Sequence, residues 1–323
     1  MTYNLLGKTG LSVSPLCFGT LPFSPLQNYR GGGAAGEALA RAFALGVNFI
    51  DTAQLYGNYD VLRPSLKQEK RDIVVASKTY AYTREDALLA VEEARAALER
   101  DVIEIFLLHE QESEHTLRGH APALEALYEC KAKGTVRAVG LSTHRPEGVF
   151  AAVNAGLDVV HPLLNMAGLG LTAAAGDGRS TGERSSSLQG RAAMEAAVTA
   201  AAEAGLGVYI MKALGGGHLW RDAQNALTYA RQWGHSLALG MRDAQEVEAA
   251  AAFFETGALP ALKDVKPRTL HIAPWCTGCG RCVDRCPNHA LTVSGGHASC
   301  DQSACLTCGY CGAVCPEFCI KVV

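Results

Sequence analysis

The sequence predicts an α/β protein in which a closed (β/α)8 barrel is followed by a small α+β domain. Two observations lead to this prediction. Through about the first 256 residues, short apolar β-branched runs alternate with Ala-, Leu- and Glu-rich stretches of helical period. Beyond them, ten of the twelve cysteines lie between Cys276 and Cys319. We therefore expect a barrel domain at 1–256, a proline-containing linker at 257–275 and a metal-binding domain at 276–323.

Eight strand–helix units fit into the barrel segment. The strands are expected to end near Thr20, Asp51, Lys78, His109, Ser142, His161, Lys212 and Gly240. The helices are expected near residues 34–45, 60–69, 84–100, 120–133, 146–155, 191–204, 222–233 and 243–256. Because a helix follows every strand, all strands run parallel, and eight of them favour a closed barrel over the alternative, an open doubly wound sheet.

The composition of the chain limits its function. The 323 residues are 48% hydrophobic and carry a formal net charge of −3, which excludes a wholly disordered chain and a basic nucleic-acid-binding protein. No run of about 18 apolar residues is present, and the first residues lack the layout of a signal peptide. We therefore expect a cytoplasmic protein with neither nucleic acid nor a membrane as a partner.

The cysteine-rich segment contains two blocks of the form C-x-x-C-x-x-C-x-x-x-C-P. Three thiolates spaced in this way can hold three corners of a [4Fe–4S] cube, while the fourth cysteine of each block reaches the other cube. One cluster is expected on Cys276, Cys279, Cys282 and Cys315, and the other on Cys305, Cys308, Cys311 and Cys286. This segment resembles bacterial two-cluster ferredoxins.

A pair of zinc sites is the alternative for these cysteines. Zinc usually binds paired Cys-x-x-Cys knuckles rather than three successive thiolates followed by Cys-Pro, so the spacing favours clusters. Cys300 and Cys319 lie outside the pattern and are expected to be small core residues beside the clusters.

Four ionisable residues lie at or just after three predicted strand ends, where barrel enzymes carry their chemistry. They are Asp51, Tyr56, Lys78 and His109. Reducing a carbonyl with hydride leaves an alkoxide that needs a proton, which Tyr56 would donate. Lys78 would lower the pKa of Tyr56, and Asp51 would pair with Lys78 in a buried site. A neutral His109 would orient the carbonyl oxygen by hydrogen bonding.

These residues stand in a sequence that resembles the aldo-keto reductase superfamily. The resemblance is carried by the LGKTGLSVS motif at 6–14, the FGT motif ending at Thr20, the GLSTH motif at 140–144 and the GMR motif at 240–242. Together with the cysteine-rich segment, it resembles the iron–sulfur branch of that superfamily. The resemblance implies a TIM barrel that binds NAD(P)(H) without a Rossmann domain and interconverts carbonyls and alcohols.

The resemblance also implies which residues would bind the nucleotide. Ser142 would contact the nicotinamide carboxamide with Asn165 nearby, and Arg242 would bind the 2′-phosphate of NADP. The full expected set is Gly19, Thr20, Ser142, Asn165, Met211, Lys212, Gly240 and Arg242. Three positions depart from many relatives: His161 replaces Gln, Met211-Lys212 replaces a stacking Tyr, and Ala250 replaces Asn.

Two glycine-containing segments have other interpretations. Residues 31–36 fit G-x-G-x-x-G, but a loop-like stretch precedes them instead of the strand that a Rossmann site requires, so an ordinary barrel loop is expected. Residues 168–190 are rich in Gly, Ala, Ser and Thr and follow the sixth strand. They form either a mobile lid at the active site or an inert insertion, in which Arg179 and Arg184 would meet an anionic substrate or solvent.

The sequence predicts an iron–sulfur oxidoreductase of aldo-keto reductase type, linked to NADP(H) and acting on a small carbonyl or alcohol substrate. The clusters would relay electrons, with a redox partner protein, or serve structure. A flavin could accept two electrons as hydride and pass them singly to the clusters, but the sequence carries no flavin signature. The alternatives are an electron-transfer or small-molecule-binding protein whose barrel does not turn over nicotinamide, and a cluster enzyme that reduces substrate without nicotinamide.

Overall fold

A computed structural model describes residues 1–27, 33–168, 171, 184–217, 219–262, 269–272, 274–307, 310–315 and 319–322. The strands are β1 (Asn4–Leu5), β2 (Ser12–Val13), β3 (Leu16–Gly19), β4 (Phe49–Asp51), β5 (Val74–Thr79), β6 (Ile103–Leu108), β7 (Val136–Thr143), β8 (Val159–Pro162), β9 (Gly207–Met211), β10 (Ser236–Gly240), β11 (Leu270–Ile272), β12 (Leu291–Ser294), β13 (His297–Cys300) and β14 (Ile320–Val322). The helices are α1 (Ala34–Ala44), α2 (Tyr59–Gln68), α3 (Arg84–Leu98), α4 (Glu114–Gly119), α5 (Ala121–Ala132), α6 (Pro146–Asn154), α7 (Arg184–Glu203), α8 (Ala223–Ala230), α9 (Ala244–Thr256), α10 (Arg281–Arg285) and α11 (Tyr310–Ala313).

Strands β3 to β10 form a closed, all-parallel barrel in which β10 pairs with β3. The predicted (β/α)8 fold is therefore confirmed, and the open sheet is excluded. Each predicted strand end lies within one residue of the observed end. The predicted and observed ends agree because each strand is a short apolar run and each helix has one apolar face towards the sheet, so both patterns are visible in the sequence.

Two helices differ from the sequence prediction. The short helix α4 was not expected, because six residues are too few to show a helical period; Ser113 and Thr116 form a capping box at its start. Helix α7 begins at residue 184, inside the segment predicted to be a loop at 168–190. Its first turns contain a Ser-rich run with low helix propensity, so the sequence pattern does not reveal them.

A β-hairpin made by β1 and β2 closes the end of the barrel at which the strands begin. Leu6, Leu11 and Val13 are buried in a layer with residues from the barrel interior, and Lys8 N donates to Gly205 O just before β9. The motif at 6–14 therefore forms an apolar plug. Barrel enzymes carry their chemistry at the opposite end, where the strands finish.

The C-terminal domain is built from two small antiparallel sheets and two short helices. Strand β11 pairs with β14, and β12 pairs with β13. Strand β11 begins at Leu270, inside the segment predicted to be a linker at 257–275. A three-residue strand between prolines shows no period, so the sequence pattern does not indicate it. Helix α11 packs against the 3-10 turn Pro25–Gln27, which follows β3, so this domain lies against the barrel at the end where the strands finish. Among the described helices, none has the length and apolarity needed to cross a membrane.

Candidate active site

A buried ion pair joins two neighbouring strands at the mouth of the barrel. Asp51 ends β4, and Lys78 lies next to the last residue of β5; their side chains are 5% and 1% exposed. Lys78 Nζ lies 2.7 Å from Asp51 Oδ1, donates to Asp51 Oδ2 at 2.8 Å, and donates to Thr52 O at 2.7 Å. Each buried charge is therefore neutralised by its partner and by hydrogen bonds, the condition under which such a pair is tolerated.

Two further side chains complete the surroundings of Asp51. The Tyr209 hydroxyl donates to Asp51 Oδ1 at 2.9 Å, and His161 stacks on the Tyr209 ring with centroids 3.8 Å apart. His161 Nδ1 lies 2.6 Å from Tyr209 O and donates to it, since a carbonyl can only accept. Burial lowers the pKa of His161 to about 4, so its ring is neutral near pH 7.

The sequence analysis did not identify Tyr209 as a site residue. It named His161 only as a position where this chain differs from many relatives. The available signal was a tyrosine within an otherwise apolar inner strand. A buried tyrosine hydroxyl needs a hydrogen-bond partner, and Asp51 provides it from across the barrel.

Tyr56 lies above the ion pair in the 3-10 turn Gln54–Tyr56, which ends at Gly57 in the left-handed region (φ 58°). Lys78 Nζ is 5.2 Å from the centroid of its ring. Burial raises the pKa of Tyr56, and the charges of Asp51 and Glu110 raise it further. The direction is opposite to the lowering of the pKa expected from Lys78, because burial of the phenol, followed by the charges of Asp51 and Glu110, dominates. The phenol is consequently in its protonated form, which a proton donor requires.

His109 follows β6 and faces Tyr56 edge-on, with ring centroids 6.1 Å apart. It stacks on Tyr80 at 4.4 Å, and the Tyr80 hydroxyl donates to Glu110 Oε2 at 2.6 Å. Burial lowers the pKa of His109 to about 2, and the nearby charge of Lys78 acts in the same direction. Its buried Nδ1 has no hydrogen-bond partner among the described residues. A neutral imidazole is thus held rigidly beside Tyr56 with unused hydrogen-bonding capacity.

A second polar group lies across the mouth and includes two predicted nucleotide residues. Lys212 Nζ lies 3.1 Å from His144 Nε2, which in turn lies 3.7 Å from Glu110 Oε1. Glu110 N donates to the Ser142 hydroxyl at 2.9 Å. Lys212 and Glu110 both have positive φ angles, 57° and 52°. Such backbone conformations cost about 1–3 kcal/mol in residues other than glycine and concentrate at functional sites.

The other predicted nucleotide residues also lie at this end of the barrel. Ser142, Asn165 and Thr20 are fully buried, and the Thr20 backbone oxygen accepts from Asn58 Nδ2 at 2.9 Å. Gly19, Met211 and Gly240 are the last residues of β3, β9 and β10. The structure therefore brings every residue of the predicted set to one rim.

Arg242 is the member of that set with a defined ionic partner. Its Nη2 donates to Glu246 Oε1 at 2.9 Å, and its backbone N donates to Glu246 Oε2 at 2.8 Å. The guanidinium is therefore already paired at the start of α9. A 2′-phosphate would bind there in competition with Glu246. Arg179 and most of the segment 168–190 lie outside the described residues, as do the side chain of Arg184 and two glycines of the motif at 31–36.

The cysteines of the C-terminal domain surround two separate cavities. Cys276, Cys279, Cys282 and Cys315 line the first, together with Cys319. Cys286, Cys305 and Cys311 line the second, while Cys308 lies outside the described residues. Cys315 of the second block therefore lies with the cysteines of the first block, and Cys286 of the first block lies with those of the second.

Backbone amides already point at several of these sulfurs. Cys276 Sγ accepts from Gly278 N and Ala298 N, each at 3.4 Å. Cys286 Sγ and Cys305 Sγ each accept one such bond at the same distance, from Ala290 N and Thr307 N. Hydrogen bonds of this kind stabilise thiolate ligands and influence cluster potentials. The two remaining cysteines lie beside the sets. Cys319 Sγ is 3.3 Å from Cys315 Sγ, and Cys300 is a near neighbour of Cys305.

Comparison with known families agrees with this architecture. Residues 15–229 match the Aldo/keto reductase family, and residues 270–316 match the 4Fe-4S dicluster domain. The barrel with its buried Asp–Lys pair is therefore an oxidoreductase-type barrel joined to an iron–sulfur domain. The chain belongs to the aldo/keto reductase family.

Individual relatives are similar over part of their length. L-galactose dehydrogenase of Arabidopsis thaliana is 31% identical over 172 residues, which cover 49% of this chain and 52% of that protein. The uncharacterised oxidoreductase YqkF of Bacillus subtilis is 27% identical over 160 residues, covering 44% of this chain and 48% of that protein. The chain thus spans about half the length of these curated relatives.

Solved structures show the same fold. PA4992, a putative aldo-keto reductase from Pseudomonas aeruginosa, superposes with a TM-score of 0.63 at 24% identity over 78% of this chain and 93% of that one. The holo form of the aldo-keto reductase AKR11C1 from Bacillus halodurans gives a TM-score of 0.63 at 19% identity over 81% of this chain and 93% of that one.

The crossed cysteine sets predict which cluster each cysteine serves. Anaerobically purified protein should contain about eight iron and eight sulfide per chain. Cys286→Ser should change the same cluster signal in electron paramagnetic resonance of the reduced protein as Cys305→Ser, and a different one from Cys279→Ser. Cys300→Ser, which alters a cysteine outside both predicted sets, should leave both signals in place. A Cys286→Ser spectrum that matches Cys279→Ser would contradict the crossed assignment.

Proposed function

We propose that this protein catalyses NADP(H)-linked interconversion of a carbonyl compound and an alcohol, with Tyr56 as the proton donor. The observation that carries the proposal is the buried pair of Asp51 and Lys78 directly beneath the protonated Tyr56, with the neutral ring of His109 beside it. A structural ion pair alone needs neither a phenol nor an imidazole at the mouth of the barrel. A carbonyl reduced there would take a proton from the phenol and a hydrogen bond that orients its oxygen from the imidazole.

Each side chain has a distinct task in this proposal. Tyr56 holds the proton on its phenol until negative charge develops on the carbonyl oxygen, and then donates it. Lys78, whose ammonium lies 5.2 Å from the centroid of the Tyr56 ring, would stabilise the resulting tyrosinate. Asp51 keeps Lys78 charged inside the barrel. His109 donates a hydrogen bond that orients the carbonyl oxygen, a role that requires the neutral imidazole.

The residues at the mouth fit a nicotinamide nucleotide. Ser142 and Asn165 are buried polar side chains at strand ends, and Lys212 adds a cation on the same rim. Turn Gly215–Gly217 has left-handed backbone at all three residues and follows the seventh barrel strand, where barrels of this fold often bind phosphate. NADPH, when bound, would supply the hydride. Arg242 would hold the 2′-phosphate after exchanging its contact with Glu246.

The C-terminal domain fits two [4Fe–4S] clusters, since its two cysteine sets surround separate cavities and accept backbone N–H bonds. Each cluster moves one electron, whereas hydride carries two. We therefore assign to the clusters either a relay to a one-electron redox partner protein or a structural role. The similarity to L-galactose dehydrogenase supports an alcohol–carbonyl pair as the substrate class.

One observation favours a second candidate function, an electron-transfer or small-molecule-binding protein without nicotinamide turnover. Arg242 is already engaged by Glu246 through three hydrogen bonds, so the nucleotide must compete for it. Anaerobic titration of the holoprotein with NADPH separates the two candidates. Saturable binding supports the reductase, and absence of binding supports the second function.

The role of Tyr56 predicts a specific loss of turnover. Tyr56→Phe removes the proton donor and preserves ring volume, so NADPH binding should persist while turnover of aldehydes falls by about 10²- to 10⁴-fold. Tyr82→Phe, which alters a tyrosine that is 63% exposed, is the matched control and should retain normal rates. Steady-state rates with a panel of aldehydes and ketones measure both. Near-normal turnover by Tyr56→Phe would show that another acid protonates the product.

The role of Arg242 predicts nucleotide preference. Arg242→Ala should weaken NADPH binding by about 10- to 100-fold, the equivalent of about 1.5–3 kcal/mol for a charge-assisted bond, and should leave NADH binding unchanged. Lys67→Ala removes a surface cation that pairs with Glu99 and serves as the control. Fluorescence titration with both nucleotides measures the difference. Equal affinity of the unaltered protein for NADPH and NADH would refute the assignment.

A further inference from the structure

The geometry points to Tyr310, in the C-terminal domain, as a residue of the active site that closes the barrel mouth beside Tyr56 and selects which carbonyl compounds reach it. This inference rests on the proposed function. It adds a specificity-determining residue from outside the barrel, where neither the strand-end pattern nor the aldo/keto reductase match at 15–229 extends.

Tyr310 fits closely against the glycine turn that follows β9. A Cβ added at Gly216 would collide with the Tyr310 hydroxyl, and it would lie 3.0 Å from Cζ and 3.1 Å from Cε2 of the same ring. Gly216 also has a φ of 68°, which glycine adopts without strain. A side chain at this position would therefore strain the backbone and would fit only if the Tyr310 ring moved.

On its other side, Tyr310 approaches the catalytic group. Its helix, α11, packs against the turn Pro25–Gln27 that follows β3. Ser24, just before that turn, donates through its hydroxyl to Tyr56 O at 2.6 Å. Tyr310 lies within electrostatic range of Tyr56, whose pKa is raised chiefly by burial and least by this neighbouring phenol. Tyr310 thus spans the mouth between the loops that follow the first and the seventh strands of the barrel.

Residues next to the second cysteine set in the sequence contact this ring and the turn that follows β9. Arg285 precedes Cys286, Leu306 follows Cys305, and Tyr310 precedes Cys311. The Arg285 guanidinium lies over the Tyr310 ring, 5.1 Å from its centroid, and its charge also reaches Lys212 on the barrel rim. Leu306 O would lie 3.9 Å from a Cβ at Gly217. The residues that contact the barrel are therefore neighbours of the ligands expected to bind the second cluster.

A ring in this position has two consequences for catalysis. It limits the space above Tyr56, so small carbonyl compounds enter more readily than large ones. It also keeps water from the phenol, which strengthens the electrostatic interactions among Tyr56, Lys78 and Asp51. Both consequences are lost when the ring is removed, while the hydroxyl contributes little to either.

The first experiment measures access to Tyr56 without relying on turnover. Holoprotein is treated anaerobically with N-acetylimidazole, and acetylation of Tyr56 is followed by peptide mass spectrometry. Tyr310→Ala should accelerate acetylation of Tyr56 by about tenfold or more, whereas Tyr310→Phe should not. Val293→Ala, at an exposed position of the same domain, is the control. Equal rates in Tyr310→Ala and the unaltered protein would overturn the proposal.

A second pair of variants covers the case in which Tyr310→Ala disturbs the neighbouring Cys311. Gly216→Ala should displace the ring from the barrel side and also accelerate acetylation. Gly10→Ala imposes the same backbone strain at a φ of 73°, with nothing within 4 Å of the new methyl group, and should not. Identical acetylation rates in these two variants would overturn the proposal independently.

Substrate selection is measured with butanal and the bulkier 2-naphthaldehyde. The ratio of kcat/KM for 2-naphthaldehyde to that for butanal should rise by about tenfold in Tyr310→Ala and remain unchanged in Tyr310→Phe. An unchanged ratio in Tyr310→Ala would overturn the assignment of specificity to Tyr310. If the unaltered protein reduces no carbonyl compound, the proposed function fails, and faster acetylation of Tyr56 still supports closure of the mouth by Tyr310.

Discussion

The buried contact between Lys78 and Asp51 is the interaction on which the functional end of this barrel depends. Removing two charges from water costs several kcal/mol for each ion, and only close, fully hydrogen-bonded geometry offsets this cost. The structure meets the condition through Thr52 O on one side and the Tyr209 hydroxyl on the other. Because Tyr209 lies in β9, the Asp51 carboxylate connects β4 and β5 to a strand elsewhere in the barrel through hydrogen bonds. Tyr56, in the turn after β4, lies with its ring centroid 5.2 Å from the ammonium of this pair.

The two ends of the barrel are closed by different physical means. An apolar hairpin plugs the end where the strands begin, with Leu6 and Leu11 buried against the lowest layer of the interior. The opposite end carries polar groups, strained backbone at Lys212 and Glu110, and a cover supplied by the iron–sulfur domain. The mouth can accept buried charge and positive φ angles because the rest of the barrel supports them.

Much of this arrangement could be predicted from the sequence. Eight regular strand–helix units gave strand ends to within one residue, and Asp51 and Lys78 were identified because charged residues ending buried strands must face the barrel mouth. Tyr209 was missed because a tyrosine in an apolar strand has the same pattern as a core residue. The hairpin and β11 were missed because two or three residues show no period. The position of Tyr310 could not be predicted, since no local pattern specifies which surface a second domain covers.

A double-mutant cycle on Asp51 and Lys78 tests the central claim most directly. Asp51→Asn and Lys78→Met each preserve side-chain size and leave the partner's charge buried alone, so each should lower the free energy of unfolding by about 3–5 kcal/mol. The double variant buries no charge and should lose less than the sum, with a coupling energy of about 2 kcal/mol or more. Anaerobic denaturant unfolding followed by circular dichroism provides the values. Additive losses would show that the two charges do not depend on each other and would contradict this account.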